Sequence, residues 1–276
     1  MADWGKIMSR GNVEDRRGST LAFGGGLGVV GVLATLLFSF LSGAPIDVND
    51  VLGQLQTAAP QQNLTTQDFE GADAYETFAA TVLGSNNEVW DGILNQQSDK
   101  PYTEPRLVLF RNATQSGCGI ATSQVGPHYC PADQTIYLDE TFFDELQNRF
   151  KAKGGDVAEA YVIAHEVGHH VQNRLGIMDQ AQRAGNANEQ SIKLELQADC
   201  FAGVWAHGVS DLGVFEKNEI NEALDAAAAV GDDRIQSAVQ GQIHPETWTH
   251  GSSQQRVEWF NRGFTKVTPS ACNTFS

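Results

Sequence analysis

Two histidines four residues apart on a helix turn their imidazoles to the same side, and a glutamate directly after the first reaches the space beside them. The stretch Ala164-His165-Glu166-Val167-Gly168-His169-His170 has this spacing. It is the His-Glu-x-x-His pattern, in which His165 and His169 hold a zinc ion and Glu166 acts as base towards a water molecule. The neighbours Tyr161, Val162, Ile163, Ala164 and Val167 bury easily, so both imidazoles need a partner inside the protein, and one metal ion satisfies the two together. His170 lies about 100° round the helix from His169 and reads as a packing or supporting residue, not a third ligand.

A catalytic zinc takes three protein ligands and keeps one position open. The run from Asn188 to His207 has helical periodicity, with Ile192, Leu196, Cys200 and Val204 on one side and Glu195 and Asp199 four apart on another. Glu195 in the third zinc position would leave Asp199 one turn on, able to accept the free N–H of a ligand histidine and fix its tautomer. The spacing alone leaves open the alternative that both carboxylates face solvent.

The His165-Glu166-Val167-Gly168-His169 and Glu195-Leu196-Gln197-Ala198-Asp199 segments resemble a gluzincin, and more closely a bacterial neutral zinc metallopeptidase family (YpfJ-like). Cys118-Gly119, Tyr129-Cys130-Pro131 and Ile136-Tyr137-Leu138-Asp139 follow the same family in order, so the resemblance covers roughly residues 70–265. It implies a zincin-like peptidase domain and supports Glu195 as the third ligand. Thr249-His250, Ser252 and Arg256 resemble the Thr-His-Pro … Arg segment of membrane-linked gluzincins, with Gly251 in place of the proline. His250 could donate to the oxyanion of the tetrahedral species, and Arg256 could orient substrate or hold the loop; a cap on the helix beginning near Ser252 is the other reading of His250.

The elements that position these residues are mainly helical. Asp156 is a candidate N-cap for a helix to Leu175 that Gly176 ends, and Gly168 inside it would let another element pass close. Two short helices are expected between Asp68 and Gln97, one over Thr141–Phe150, and supporting helices over Glu216–Val230 and Asp233–Val239. Leu107–Phe110 and Thr135–Leu138 read as strands, the second as an edge able to pair with an extended substrate. Cys118 and Cys130 can close the loop between those strands by a disulfide, with a second zinc site including His128 as the alternative; Cys200 and Cys272 would form a second disulfide tying down the C-terminal tail.

Residues 18–46 carry no charge, and Leu21–Leu41 is long enough at 1.5 Å per residue to cross a bilayer core of about 30 Å. A cleaved signal peptide is the rival, with Ser42 and Ala44 before the cut and Pro45 after it. The expected organisation is a cytoplasmic flank (1–17), a transmembrane anchor (18–46), a linker (47–67) and a zinc metallopeptidase domain (68–276). Lys6, Arg10, Arg16 and Arg17 precede the apolar run, which predicts a single-pass protein of the cell membrane with its catalytic domain extracytoplasmic. The fold class expected is thus α+β, mainly helical, with a small sheet and one N-terminal transmembrane helix.

A net charge of −16 removes the basic field that nucleic acid would require. The predicted activity is that of a membrane-anchored zinc metalloendopeptidase with one Zn2+ per chain and a peptide or protein substrate. A catalytically silent zinc-binding adaptor of the envelope and a zinc amidohydrolase acting on a non-protein amide are the alternatives.

Overall fold

Leu107-Val108-Leu109 and Ile136-Tyr137-Leu138 are apolar at every position, the mark of strands covered on both faces. In the computed structural model, which describes residues 1–18, 73–97, 101–216 and 218–275, both are central. Strands β1 (Val13–Asp15), β2 (Arg106–Leu109), β5 (His128–Cys130) and β6 (Thr135–Leu138) form a sheet of order β1-β2-β6-β5. The β1/β2 and β2/β6 pairs are parallel, with Leu107 opposite Ile136, and β5 is antiparallel to β6. Leu107, Leu109, Ile136 and Leu138 pack into the main core, while Val108 and Tyr137 join Phe110, Ala121 and Cys130 in a smaller cluster. A separate hairpin, β3 (Ala113–Ser116) with β4 (Gly119–Thr122), fills much of what the sequence presents as a glycine-rich loop.

Among the described residues the α-helices are α1 (Ala74–Gln97), α2 (Thr141–Asn148), α3 (Asp156–Leu175), α4 (Ile177–Arg183), α5 (Ala187–Asp211), α6 (Ile220–Ala229), α7 (Asp232–Gln240) and α8 (Ser253–Lys266). Where two are expected between Asp68 and Gln97, the described residues from 74 to 97 form one. Ser85 and Asn86 both donate to the Val82 carbonyl and so stay within the helix. Gly84 is small for a reason of packing: a Cβ there would come within 2.7 Å of the Ser9 and Arg10 backbone, which crosses α1 at this point. Small residues set the other close crossings too. A Cβ on Gly168 of α3 would lie 2.9 Å from the Ala198 carbonyl of α5, and one on Gly263 of α8 would collide with the Cys200 carbonyl. Disulfides Cys118–Cys130 and Cys200–Cys272 are both formed, the first linking the β3–β4 turn to β5 and the second tying the tail to α5.

The N-terminal organisation departs from expectation. Residues 1–17 are no separate flank: Met1–Gly18 and Asp68–Ser276 form one compact unit. β1 adds a strand to the domain's sheet, and the Ala2 amide and Trp4 indole both donate to Asp156 at 2.9 Å. Asp156 is accordingly the N-terminus's anchor, and Gly155 occupies the N-cap position of α3. A chain that crossed a membrane once after residue 17 would put β1 and β2 on opposite sides of it, so the single-pass topology with a cytoplasmic N-terminus and an extracytoplasmic domain is overturned. The expected transmembrane anchor (18–46) and linker (47–67) fall, but for Gly18, outside the described residues. Among the described residues no helix is long and apolar enough to cross a membrane, and the fold is a mainly helical α+β unit with small sheets.

Candidate metal centre and cleft

The crossing at Gly168 and Ala198 brings one face of α3 against one face of α5. His165 and His169 project from the first, Glu195 and Asp199 from the second. His165 Nε2 lies 3.1 Å from Glu195 Oε2 and His169 Nε2 lies 3.3 Å from Glu195 Oε1. Ligand atoms from His165, His169 and Glu195 all fall within 4.8 Å of one another. Two imidazole nitrogens and a carboxylate oxygen are a donor set suited to zinc.

The electrostatics of the cluster favour a cation. Burial works against charge on His165, but Asp199 and Glu195 outweigh it and push its pKa up to about 10. His169 is likewise raised against the effect of burial, chiefly by Glu195. Glu195, despite burial, is held well below the usual carboxylate range by the two histidines. Protons and a metal ion compete for the same lone pairs there, so metal uptake must release protons. Glu166 is 6% exposed, and its Oε2 is buried without a hydrogen-bond partner. An orphaned carboxylate oxygen beside such a cluster has its acceptor capacity free for a water.

Asp199 is wholly buried and fully engaged. Its Oδ1 accepts from His165 Nδ1 at 2.9 Å, Tyr161 Oη at 2.5 Å and Arg256 Nη2 at 3.0 Å, and its Oδ2 accepts from Arg256 Nε at 2.8 Å. Burial raises its pKa, but Arg256 and His165 more than reverse that. Arg256, 2% exposed, donates otherwise to Tyr161 and the Val230 carbonyl, so its guanidinium is committed to the framework around Asp199. The second histidine of the cluster has a neutral partner: His169 Nδ1 lies 2.9 Å from Gln172 Oε1.

His165, Glu166, His169, Glu195, Tyr161 and Arg256 line a cleft of about 640 Å3, together with His250, His128 and Tyr129. His250 caps no helix; Ser252 caps α8 in a reciprocal box with Gln255. Its Nδ1 lies 3.2 Å from Asp232 Oδ1, while Asp232 Oδ2 accepts the amide N–H groups of Thr249, His250 and Gly251 at 2.8, 2.6 and 2.9 Å. Burial raises Asp232, but bonds from His250 keep it below the ordinary range. His170, fully buried, stays out of the metal cluster: Nδ1 faces Tyr129 Oη at 3.0 Å and Nε2 the Thr103 carbonyl at 2.6 Å. Burial lowers its pKa to about 4, so it is neutral. The strand bordering the cleft is β5, since β6 lies between β2 and β5 with all four residues buried; Thr135–Leu138 is therefore not the edge.

Asp232, Tyr161 and Gln172 escape sequence reading as site members. Asp232 meets His250 across 18 residues of chain, and no local pattern announces that. Tyr161 blends into the apolar run, whereas Gln172, one turn after His169, could have been found by helical spacing.

A family model described as "putative neutral zinc metallopeptidase" matches residues 2–275. The chain is 41% identical over 289 residues to uncharacterized protein YpfJ of Escherichia coli (strain K12), covering 99% of this chain and 98% of that one. It is 44% identical over 250 residues to uncharacterized protein Rv2575 of Mycobacterium tuberculosis (strain ATCC 25618 / H37Rv), covering 86% and 81%. Uncharacterized protein Mb2605 of Mycobacterium bovis matches to the same extent. No solved structure matches.

Proposed function

The chain belongs to the putative neutral zinc metallopeptidase family, and from that premise we propose that it is an endopeptidase holding one zinc ion on His165, His169 and Glu195. The convergence of those three side chains, with the unpartnered carboxylate oxygen of Glu166 in the same cleft, carries this reading. Zinc bound there supplies Lewis acidity towards a substrate carbonyl and acidifies the attacking water.

The protein's own groups do the rest. Glu166 takes the proton from the water on its free oxygen and delivers it to the leaving amine. Asp199 holds His165 with its proton on Nδ1, leaving Nε2 for the metal, and Arg256 with Tyr161 keeps Asp199 in place. His250, oriented through Nδ1 by Asp232, faces the cleft where the oxyanion would develop and is the side chain placed to stabilise it. An extended peptide would lie along β5, where the backbone edge supports it.

The test is digestion of a broad peptide library by the zinc-loaded protein and by Glu166→Gln. Wild type should cut internal peptide bonds, and Glu166→Gln should retain its zinc by elemental analysis yet cut nothing. Undiminished cleavage by Glu166→Gln would remove Glu166 as the base, and zinc-loaded wild type that cuts no peptide would overturn the peptidase reading.

A further inference from the structure

We propose that Gln172 and Gln197 form a directional amide relay that fixes His169 in its metal-binding tautomer, with the C-terminal tail as its far end; this rests on the zinc reading above. His169 Nδ1–H donates to Gln172 Oε1 at 2.9 Å. Gln172 Nε2 donates to the Leu194 carbonyl at 2.7 Å and to Gln197 Oε1 at 3.1 Å. Gln197 Nε2 in turn donates to the Cys272 carbonyl at 2.9 Å. Every bond in the series runs the same way, from the metal site outwards.

That direction is imposed by the two carbonyls, which can only accept. Turning either amide round would set oxygen against oxygen, and Gln172 and Gln197 are 0% and 4% exposed, too deep for water to repair the loss. Gln172 must therefore show its oxygen to His169. The imidazole must carry its proton on Nδ1, and the Nε2 lone pair is left facing the Glu195 side of the cluster. His165 receives this orientation from an anion, Asp199; His169 depends on a neutral amide whose own orientation has to be enforced from outside.

The tail supplies part of that enforcement. Cys272 is held to α5 by its disulfide with Cys200, Arg262 donates to the adjacent Ala271 carbonyl at 2.6 Å, and Thr274 Oγ1 donates to the Lys193 carbonyl at 2.8 Å. The last residues of the chain thereby act as positioning residues for a metal ligand on α3.

The experiment measures zinc dissociation constants by competition with a chromophoric chelator, using the full chain with its disulfides intact. Gln172→Met should weaken binding by roughly 10- to 100-fold, the usual effect of losing a partner behind a metal ligand. Gln172→Glu, which still accepts from Nδ1–H, should bind more tightly than Gln172→Met. A merely structural glutamine predicts the reverse order, because a buried carboxylate facing the Leu194 carbonyl disturbs packing more than a thioether does. Gln197→Met and the Cys200→Ala/Cys272→Ala double variant should show losses smaller than that of Gln172→Met. Should Gln172→Met fail to fold, the loss in Gln197→Met relative to wild type decides. Tight wild-type binding that the folded Met variants leave within about twofold overturns the relay alone. A wild-type protein that binds no zinc overturns the metal reading and the relay with it.

Discussion

One carboxylate organises the loop opposite the metal cluster: Asp232 accepts three successive amides and the His250 imidazole. It also explains why residue 251 is glycine. Gly251 has φ +86° and donates its N–H to Asp232, and proline offers neither that angle nor that proton. His250→Phe should lower kcat by roughly 100-fold, as loss of an oxyanion donor does. The thermal midpoint should hardly move, because the His250 side chain is 46% exposed. Removing Asp199 is a different matter, since it would strand the buried Arg256. Asp199→Ala should cost about 3–5 kcal/mol in a urea melt. A third residue gives a pH signature. Burial first, then the charges of Asp156, Glu140 and Asp144, raise Glu159 from 4.5 to about 7. The folded state thus holds this proton more tightly than the unfolded chain, and stability falls as pH rises between those values. Glu159→Gln should raise the melting temperature at pH 8 and leave it unchanged near pH 4.

At the scale of elements, the metal cluster exists because α3 and α5 cross almost backbone to backbone. Gly168→Ala should push them apart, weakening zinc binding and costing about 1–3 kcal/mol by overpacking. Gly92 on α1 meets nothing within 4 Å, so Gly92→Ala should stabilise by about 0.5–1 kcal/mol; paired chemical melts check both. Helix α3 was legible to its last residue, because apolar periodicity and Gly176 mark it locally. Strands β2 and β6 were legible from apolar runs of strand length. The β3–β4 hairpin and β5 were hidden, since short polar strands such as His128–Cys130 gain their identity from the partner they pair with. Gly84 shows a related ambiguity: glycine signals both a turn and a close crossing, and sequence does not say which. Spacing within each helix marked His165 and His169 as a pair, and Glu195 and Asp199 as another that spacing alone could have left facing solvent; Asp232 and Tyr161 are joined to them only by tertiary packing.

For the whole molecule, the decisive contacts are those of its first residues. A strand so short cannot be recognised from Val13-Glu14-Asp15, and charges at Arg16 and Arg17 read as a flank when they are in fact paired with Glu14, Asp15 and Glu140. Arg17 also bonds Asp73 at 2.6 Å, across the stretch that separates β1 from α1. This ion pair clasps two points of the chain 56 residues apart in sequence. Bringing together the ends of a chain segment costs entropy that rises slowly with the segment's length. Replacing residues 19–72 with a Gly/Ser linker a quarter as long should preserve the fold and zinc binding and add about 1 kcal/mol of stability. A loss of stability instead would mean that the excised residues supply contacts of their own.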